Sequence, residues 1–436
     1  MVAQIITKCE KTTLEAIPQD WKLKKIGDFA DVTSGGTPST FVPAYWNGNI
    51  RWMNSGELNL KKIFEVEGRI TEYGLKNSST KMLPSKCVLI GLAGQGKTRG
   101  TIAINYVGLC PNQSIGAVLP NDFFIPEYLY YNLDSRYNEL RKLSTGEGGL
   151  NLTIIRNIEV PLPTKEEQSA IAKVLSDTDA LIESFDRLIE KKKNIKQGAM
   201  QELLTGKKRL PGKWLENQKK KSTEVGLIPE DWNVCSFTDI VSKYIDYRGI
   251  TPKKLGMEWR NNGEILALSA NNVKMGKIDS QIDANYGDES LYKRWMTQGD
   301  CEQGDLVITM EAPLGNIAQI PNKRKYILSQ RVILVKPIDA IDRTFLFHYL
   351  RGSYFQNQLL KNSTGSTALG IQRKKLNEIL IYFPPEKSEQ SAIAQVLSDM
   401  DSEITEVEQK RDKFKQLKAG MMQQLLTGRI RLKCKN

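Results

Sequence analysis

The stretch that decides the fold of this chain occurs twice, as EQSAIAKVLSDTD at Glu167 to Asp179 and as EQSAIAQVLSDMD at Glu389 to Asp401. The copies begin 222 residues apart and are identical at 11 of 13 positions. Each is followed by a charged stretch that ends in LLTG and a basic tail, LLTGKKRL from Leu203 and LLTGRIRL from Leu425. The chain is therefore a tandem duplication.

The duplication also covers a segment upstream of each copy, because IPQDW at residues 17–21 returns as IPEDW at residues 228–232. A chain of 436 residues is too long for one ordinary hydrophobic core, which predicts two or more domains. The repeated segments show where one half of the chain ends and the next begins.

The composition is basic, with 62 Lys and Arg against 50 Asp and Glu, and this excess is typical of proteins with a polyanionic partner such as nucleic acid. Six cysteines without a C-x-x-C pair argue against a zinc ribbon or a disulfide framework. No apolar run approaches the roughly 18 residues of a membrane span. We therefore expect a soluble, cytoplasmic protein without a metal site. The basic residues cluster at Lys191 to Lys193, Lys207 to Arg209, Lys219 to Lys221 and Arg429 to Lys435.

Apolar residues recur in steps of three, four and seven through each repeated block, which predicts one apolar seam along a helix. Pro163 and Pro385 precede the two blocks, and Gly206 and Gly428 follow them, as expected at helix starts and ends. Each helix then has about 40 residues and a length of roughly 60 Å. The predicted seam consists of Ile171, Val174, Leu181, Phe185 and Leu188 in the first copy and Ile393, Val396, Ile404, Val407 and Phe414 in the second.

A helix with one apolar seam needs a partner surface, and two interpretations are open. Each helix packs on its own domain, or the two helices pack on each other as a coiled coil. We favour the coiled coil because the remaining helix faces are strongly charged. The order of the repeats along the chain predicts that the pair is antiparallel.

The segments between these blocks have a mixed strand and helix pattern. Short β-rich runs alternate with Gly, Asn and Ser loops. These runs are CVLIG from Cys87, TIAINYV from Thr101, DLVIT from Asp305 and RVILVKP from Arg331. Amphipathic helices are predicted from Glu127 and from Thr344, followed by the polar loops STGEGG at Ser144 and STGST at Ser363. The two segments share a plan but differ in their loops.

One motif suggests nucleotide chemistry, since GLAGQGKT at Gly91 to Thr98 matches a phosphate-binding loop. Such a loop must open a helix, yet the following RGTIAINYV is β-branched and predicts a strand. The second half has no equivalent motif. Pairs of carboxylates such as Asp177 and Asp179 are expected to lie on solvated or interhelical faces, and His348, the single histidine, is expected to be structural. We therefore predict no catalytic residue and no cofactor bound by this chain.

The order of these features resembles the specificity (S) subunit of type I restriction-modification systems: IPxDW, a variable α/β region, an STG-type loop, a proline-led EQxxIAxxL helix and LLTG, and then the same again. The resemblance covers residues 17–432. It implies an α+β fold with two α/β target recognition domains in a pseudo-twofold repeat, separated by two long antiparallel coiled-coil helices. The corresponding domains are residues 1–163 and 223–384, and the helical segments are residues 164–222 and 385–436.

The resemblance also implies the partners. They are double-stranded DNA, two methyltransferase subunits that carry S-adenosylmethionine and methylate adenine, and restriction subunits that use ATP and Mg. The S subunit itself is non-catalytic. Two alternatives remain open, the specificity subunit of a type II system with a fused nuclease-methyltransferase and a P-loop NTPase.

Sequence-specific readers place polar loops at base edges and positive charge at phosphates. The resemblance carries over no residue role, because base contacts in that family lie in the variable regions. The candidates are therefore chosen from polar and basic loop residues, with Arg and Gln favoured by their bidentate geometry. They are Thr33, Ser34, Gly35, Gly36, Thr37, Asn54, Ser55, Gln95, Lys97, Arg99, Ser144 and Thr145 in the first half, and Tyr247, Arg248, Asn271, Asn272, Gln330, Arg331, Ser363 and Thr364 in the second.

Overall fold

A computed structural model of the chain describes residues 17–94, 98–143, 149–212, 219–249, 251–282, 284–365 and 368–432, together with the backbone of residues 3–5 and 9–10. The chain divides into two compact units. The first contains residues 1–186 and 408–436, and the second contains residues 187–407. Each unit thus includes one recognition segment and a part of both long helices.

The first unit is built on a five-stranded sheet in which the neighbours are, in order, Val32–Ser34, Ile115–Val118, Val88–Gly91, Ile102–Asn105 and Lys62–Ile63. A three-stranded sheet of Cys110–Pro111, Trp46–Met53 and Arg69–Ile70 lies beside it. Strand pairs join Lys22–Lys25 to Glu159–Leu162, Ala3–Ile5 to Ile430–Leu432, and Cys9–Glu10 to Ile17–Pro18. The shorter helices are Glu72–Lys76, Pro126–Ser135, Tyr137–Lys142 and Leu152–Arg156, with 3-10 turns at Ile26–Asp28, Pro43–Tyr45 and Ser55–Leu60.

The second unit repeats this plan with a four-stranded sheet in the order Val241–Asp246, Val332–Pro337, Leu306–Thr309 and Ile317–Gln319. Its three-stranded sheet contains Tyr286–Gly287, Ile265–Leu268 and Tyr326–Leu328. Strand pairs join Asn233–Ser236 to Leu380–Phe383, Lys220–Thr223 to Gly226–Pro229, and Val273–Lys274 to Lys277–Ile278. The shorter helices are Glu289–Trp295, Arg343–Arg351, Ser353–Lys361 and Arg373–Asn377, with 3-10 turns at Phe237–Ile240 and Pro252–Leu255.

The predicted strands are confirmed, because the four β-rich runs form the central strands of the two sheets. Val, Ile and Leu side chains of these strands are buried on both faces, as in Val88–Gly91 and Leu306–Thr309. The two predicted amphipathic helices are each broken into two shorter helices. The breaks lie at Arg136, with φ −103° and ψ 19°, and at Gly352, with φ −68° and ψ 153°.

The two long helices are Lys165–Leu203 and Lys387–Leu425, each of 39 residues, and the coiled coil is confirmed. In the first unit the rings of Phe185 and Phe414 lie 5.7 Å apart. Lys418 pairs with Asp179 at 2.5 Å in the same unit, so residue numbers rise on one helix as they fall on the other. The predicted antiparallel arrangement is therefore correct.

The seam itself is not quite the one predicted, because Leu181 and Leu188 are 37% and 39% exposed, whereas their neighbours Ile182 and Ile189 are buried. The correct positions advance in alternating steps of four and three, the spacing of a coiled coil. On the first helix they are Ile171, Leu175, Thr178, Ile182, Phe185, Ile189, Lys192 and Lys196, and on the second Ile393, Leu397, Met400, Ile404, Val407, Arg411, Phe414 and Lys418. Val174 and Val396 are partly buried against the cores of their units.

Four of these seam positions carry cations, which a pattern of apolar residues alone does not reveal. Each cation pairs with a carboxylate of the other helix within its unit. Lys418–Asp179 and Arg411–Asp186 lie in the first unit, and Lys192–Glu403 and Lys196–Asp401 lie in the second. Lys and Arg stems can cover apolar surface while the charged ends find partners at the edge of a seam.

The repeated motifs of the sequence converge on one cluster in each unit, which we call the arginine junction. In the second unit it consists of Gly206, Arg209, Asp231, Trp232 and Glu389. The Arg209 guanidinium donates to both oxygens of Asp231, at 2.9 Å each, and to both oxygens of Glu389, at 2.8 and 2.6 Å. A Cβ on Gly206, which has φ +66°, would lie 2.5 Å from the ring of Pro229 in IPEDW.

The first unit has the same arginine junction, formed by Asp20, Trp21, Glu167, Gly428 and Arg431. Arg431 pairs with Glu167 and also with Asp20, at 2.9 and 2.8 Å, and the Trp21 indole donates to Glu167 at 3.3 Å. In each junction, therefore, an arginine a few residues beyond the end of one long helix pairs with a glutamate at the start of the other. Both arginines belong to basic clusters of a chain whose overall excess of cations is typical of proteins with a polyanionic partner, yet Arg209 and Arg431 are occupied by carboxylates of this chain.

Candidate nucleic-acid interface

In the first unit, four loops meet at one end of the five-stranded sheet and form a surface that we call the first loop face (residues 33–37, 92–94 with 98–101, 112–115 and 149–151). Backbone hydrogen bonds hold them together. The amide of Leu92 donates to Ser114 at 2.8 Å, the amide of Leu150 donates to Leu92 at 2.8 Å, and the amide of Gly35 donates to Ile115 at 3.3 Å. The central strands end here, so loop side chains can vary without disturbing the sheet.

The second unit has the second loop face (residues 246–249, 310–316, 329–331 and 363–365 with 368–371), built by equivalent bonds. Met310 donates to the carbonyl of Arg331 at 2.7 Å, and Ile371 donates to the carbonyl of Met310 at 3.0 Å. These bonds correspond to Leu92 with Ser114 and to Leu150 with Leu92 in the first unit. One scaffold therefore presents two faces whose side chains differ.

Part of the TSGGT segment lies on the surface of the first loop face. Thr33 accepts a hydrogen bond from Lys81 at 3.1 Å, and the Thr37 hydroxyl donates to Gln113. Ser34 ends the edge strand Val32–Ser34 and is half-buried. This part of the segment places hydroxyl, amide and ammonium groups next to one another on the face.

Gly35 and Gly36 do not lie on the exposed surface of the face as expected, because both are buried. A Cβ on Gly35 would lie 1.8 Å from the carbonyl oxygen of Pro111, and one on Gly36 would lie 2.4 Å from Ser79 Oγ. Glycine is therefore required here for close packing of the backbone. Asn54 is exposed but caps the turn Ser55–Leu60, since its side-chain oxygen accepts from the amide of Gly56 at 2.8 Å. Ser55, the first residue of that turn, is half-buried.

Four candidates, Gln95, Lys97, Ser144 and Thr145, lie outside the described residues. The remaining candidate of this segment, Arg99, is half-buried. The strand Val88–Gly91 pairs with Ile102–Asn105 in antiparallel register, so the Gly-rich motif connects a hairpin. A phosphate-binding loop must lead into a helix, and this motif does not.

In the second unit, Tyr247 and Asn272 do not lie on the exposed surface as expected but belong to the interior. Tyr247 is 2% exposed, and its hydroxyl accepts from the amide of Gln298 at 2.6 Å. Asn272 is fully buried and joins Ser269 to Ala267 through bonds of 2.9 and 2.7 Å. Its neighbour Asn271 is exposed, so only one side chain of this turn is available to a partner.

The remaining candidates of the second unit lie on or beside the second loop face. Gln330 and Arg331 are exposed, and Arg331 has φ +68° and pairs with Glu311 at 3.6 Å. Thr364 is exposed and bridges to Gly370, whereas the Ser363 hydroxyl is used within the chain, donating to Leu360 at 2.7 Å. The Arg331 side chain is 48% exposed, so it can exchange Glu311 for another anion.

Arg248 is half-buried and is held by Asp246 through two bonds of 2.9 and 2.8 Å. The hydrogen bonds that Arg248 donates to Asp246 raise the pKa of Arg248, and the charge of Glu311 adds to this effect. Arg373, which the sequence reasoning missed, lies 3.9 Å from Asp246 and above the Tyr244 ring at 5.8 Å. The second loop face therefore carries two arginines, Arg248 and Arg331, with Arg373 next to it and two nearby carboxylates.

Gln113 is the other residue that the sequence reasoning missed, although the duplication itself could have identified it. PNQSIGAVLP at residues 111–120 aligns with LSQRVILVKP at residues 328–337, which places Gln113 opposite Gln330. Both precede the equivalent strands Ile115–Val118 and Val332–Pro337. Each loop face thus has a glutamine at the same position.

Among the described residues, no helix is both long and apolar enough to cross a membrane. The architecture is a duplicated α+β scaffold with two long coiled-coil helices and two dissimilar loop faces. The family description "Type I restriction modification DNA specificity domain" matches residues 18–196 and 229–416. The chain belongs to this family and carries its domain twice, which confirms the resemblance to an S subunit.

Two curated relatives from Methanocaldococcus jannaschii span nearly the whole chain. The type I restriction enzyme MjaVIII specificity subunit is 28% identical over 96% of this chain and 94% of its own length. The putative type I restriction enzyme MjaX specificity subunit is 26% identical, covering 97% of each. A crystal structure of the type I restriction-modification system S subunit from M. genitalium covers 96% of this chain and 97% of its own, with a TM-score of 0.57 at 15% identity, and shows the shared fold.

Proposed function

We propose that this chain reads a bipartite, asymmetric DNA site, with each loop face reading one half. The observation that carries the proposal is the pair of equivalent faces with different side chains. A shared scaffold gives both faces the same approach to DNA, while differences such as Ser114 against Arg331 change the groups presented to the bases. Two identical faces would read a symmetric site, and these two faces are not identical.

The chemistry of the faces suits the division of work in DNA readers, in which phosphate contacts position the protein and base contacts specify the sequence. Gln113 and Gln330 can form bidentate bonds with adenine, and Arg331 can form them with guanine. Each good bidentate pair contributes about 1 to 3 kcal/mol of discrimination against a wrong base. The remaining basic residues would contribute salt-dependent affinity through the phosphates.

The test uses the two matched glutamines. Gln113→Ala should relax or weaken recognition in one half of the site only, and Gln330→Ala in the other half only, each by about 10- to 100-fold against the preferred base. The measurement is methylation-site mapping of cells that carry each variant, with Lys293→Ala, an exposed helical residue of the second unit, as the control. If both glutamine variants altered the same half, or neither altered any position, the assignment would be wrong.

We further propose that the long helices set the spacing between the half-sites and bind two methyltransferase subunits. S-adenosylmethionine would then be bound by those partners, and ATP and Mg by restriction subunits, in the cytoplasm. Two half-sites on one face of DNA are separated by about one helical turn, or roughly 34 Å. Adding one heptad to both helices should lengthen the unread spacer and leave each half-site unchanged. Methylation-site mapping that gave the original spacer would refute this role.

A further inference from the structure

A pocket of about 510 Å³ lies in the first unit, away from the loop face. Pro161 of the strand Glu159–Leu162 and Asn132 of the helix Pro126–Ser135 form one side of it. Ile17, Met422 and Leu426 contribute apolar surface near the end of the second long helix. The pocket is therefore placed where the recognition segment meets the repeated helix.

Asn132 gives this pocket one specific polar group. The residue is 2% exposed, and its side-chain oxygen has no hydrogen-bond partner within the chain. An unpaired buried acceptor is costly, and native proteins seldom leave one without a role. A ligand with a hydrogen-bond donor would satisfy it.

The charges at the pocket are already neutralised. The Arg136 guanidinium pairs with Glu139, at 2.9 and 2.6 Å, and donates to the backbone oxygen of Glu159 at 2.6 Å. A charged ligand would have to break this pair. The lining thus favours a neutral, largely apolar group with one donor.

The second unit indicates the shape of that group. Asn132 is the seventh residue of its helix, and the seventh residue of the equivalent helix Arg343–Arg351 is Tyr349. Likewise, Pro161 corresponds to Tyr382, the third residue of Leu380–Phe383. The two tyrosine rings lie 5.6 Å apart in an edge-to-face arrangement, both are 3% exposed, and the Tyr349 hydroxyl accepts from the amide of Tyr382 at 3.1 Å. The second unit therefore fills with its own aromatic rings the place where the first unit has a pocket.

We propose that the pocket of the first unit binds one aromatic side chain with a hydrogen-bond donor, a tyrosine or a tryptophan, inserted by a methyltransferase subunit. This assignment of the partner rests on the proposed function. The first unit cannot supply the ring from the parts of it that are not described, because residues 1–16, 95–97, 144–148 and 433–436 contain no Phe, Tyr or Trp. The two docking positions on the duplicated scaffold are then unequal, with an inserted ring at the first unit only.

The pocket is tested on the full chain alone with p-cresol, the analogue of a tyrosine side chain, and toluene, which lacks the donor. The methyl NMR signal of ¹³C-labelled Met422 should shift on titration with p-cresol, and toluene should bind about tenfold more weakly, the effect of one hydrogen bond. Asn132→Tyr should abolish binding by filling the pocket as Tyr349 does. Asn132→Leu should make the two probes bind equally, and Asn138→Tyr on the exposed face of the next helix should bind as the unmodified chain does.

The pocket assignment is overturned if p-cresol leaves the Met422 signal unchanged, or if toluene binds as tightly as p-cresol to the unmodified chain. The partner is tested separately, by native mass spectrometry of the chain with its methyltransferase subunit. The unmodified chain and Asn138→Tyr should bind two copies with similar affinity. Asn132→Tyr should bind one of the two copies at least tenfold more weakly.

Two copies bound with unchanged affinity by Asn132→Tyr would overturn the partner as the source of the ring. If the unmodified chain bound no methyltransferase subunit, the proposed function and the partner assignment would both fail. The p-cresol titration would still decide the chemistry of the pocket, so the two failures are distinguishable.

Discussion

Replacing Arg209 with methionine should destabilise the second unit strongly, although the change lies outside the loop face. The Arg209 side chain is 6% exposed and Glu389 is 1% exposed, so the substitution leaves a carboxylate in the interior without a partner. Asp231 is 28% exposed and can be hydrated in the variant. The loss is thus concentrated on Glu389.

Breaking a buried ion pair by removing one partner costs about 3 to 5 kcal/mol. Burial already raises the pKa of Glu389 in the intact protein, and Arg209 opposes that rise. Without Arg209 the carboxylate should take up a proton, which limits the cost to the lower part of this range near neutral pH. The double variant Arg209→Met/Glu389→Gln removes the unpaired charge and should lose only about 1 to 2 kcal/mol, the value of the lost hydrogen bonds.

The assay should resolve the two units, because they need not unfold together. Hydrogen exchange under native conditions does this. Amides of the strand pair Asn233–Ser236 and Leu380–Phe383, next to the junction, should lose protection in Arg209→Met, while the equivalent pair Lys22–Lys25 and Glu159–Leu162 should keep it. Lys208→Met is the matched control, since Lys208 is 71% exposed and its pair with Glu202 at 4.0 Å should contribute little.

Arg431→Met, the equivalent change in the first unit, should give the reverse pattern. The reasoning would be refuted if Arg209→Met cost less than about 1 kcal/mol, the value of an exposed pair. It would also fail if the double variant were no more stable than the single one.

Two further predictions concern the second unit and the coiled coil. Burial lowers the pKa of His348 to about 3, and the charges of Lys196 and Arg351 add to this effect. The stability that the neutral ring contributes is therefore fully present above pH 6.5, the ordinary pKa of histidine, and is lost as the pH falls towards 3. Between pH 7 and pH 5 the free energy of unfolding, measured in urea, should therefore fall by about 2 kcal/mol. The variant His348→Tyr, which introduces the residue found at the equivalent position of the first repeat, should remove this pH dependence. In the helices, Ile182→Ala should cost about 2 to 4 kcal/mol by thermal unfolding, whereas the adjacent Leu181→Ala should cost less than about 0.5; similar losses would contradict the revised seam.

The sequence by itself determined the duplication, the two long helices and the antiparallel coiled coil. These features follow from repeated local patterns, such as the steps of three and four between apolar residues, which need no knowledge of distant contacts. The central strands were predictable for the same reason. The shift from Leu181 to Ile182 was not, because adjacent apolar residues fit the helical period almost equally well and only packing distinguishes them.

The charged positions of the seam and both arginine junctions depended on the tertiary structure. Lys196 and Arg209 occur in basic stretches that are typical of solvated or nucleic-acid-binding segments. Their partners, Asp401 and Glu389, are about 180 residues or more away in the sequence. No local pattern can predict such a pair, although the repetition of Arg209 as Arg431 at the same distance from LLTG was visible.

The loop faces were likewise predictable in part from the sequence and decided in part only by the tertiary structure. Polar loops at the ends of apolar strands were predictable, and so Arg331, Gln330 and Thr364 were correctly placed on an exposed surface. Whether a loop residue points outward depends on backbone contacts made elsewhere, which is why Tyr247 and Gly35 proved to be interior. The sequence determined the repeated scaffold because local periodicity encodes it, and the tertiary structure alone decided which side chains remain free for a partner, because burial depends on contacts between distant segments.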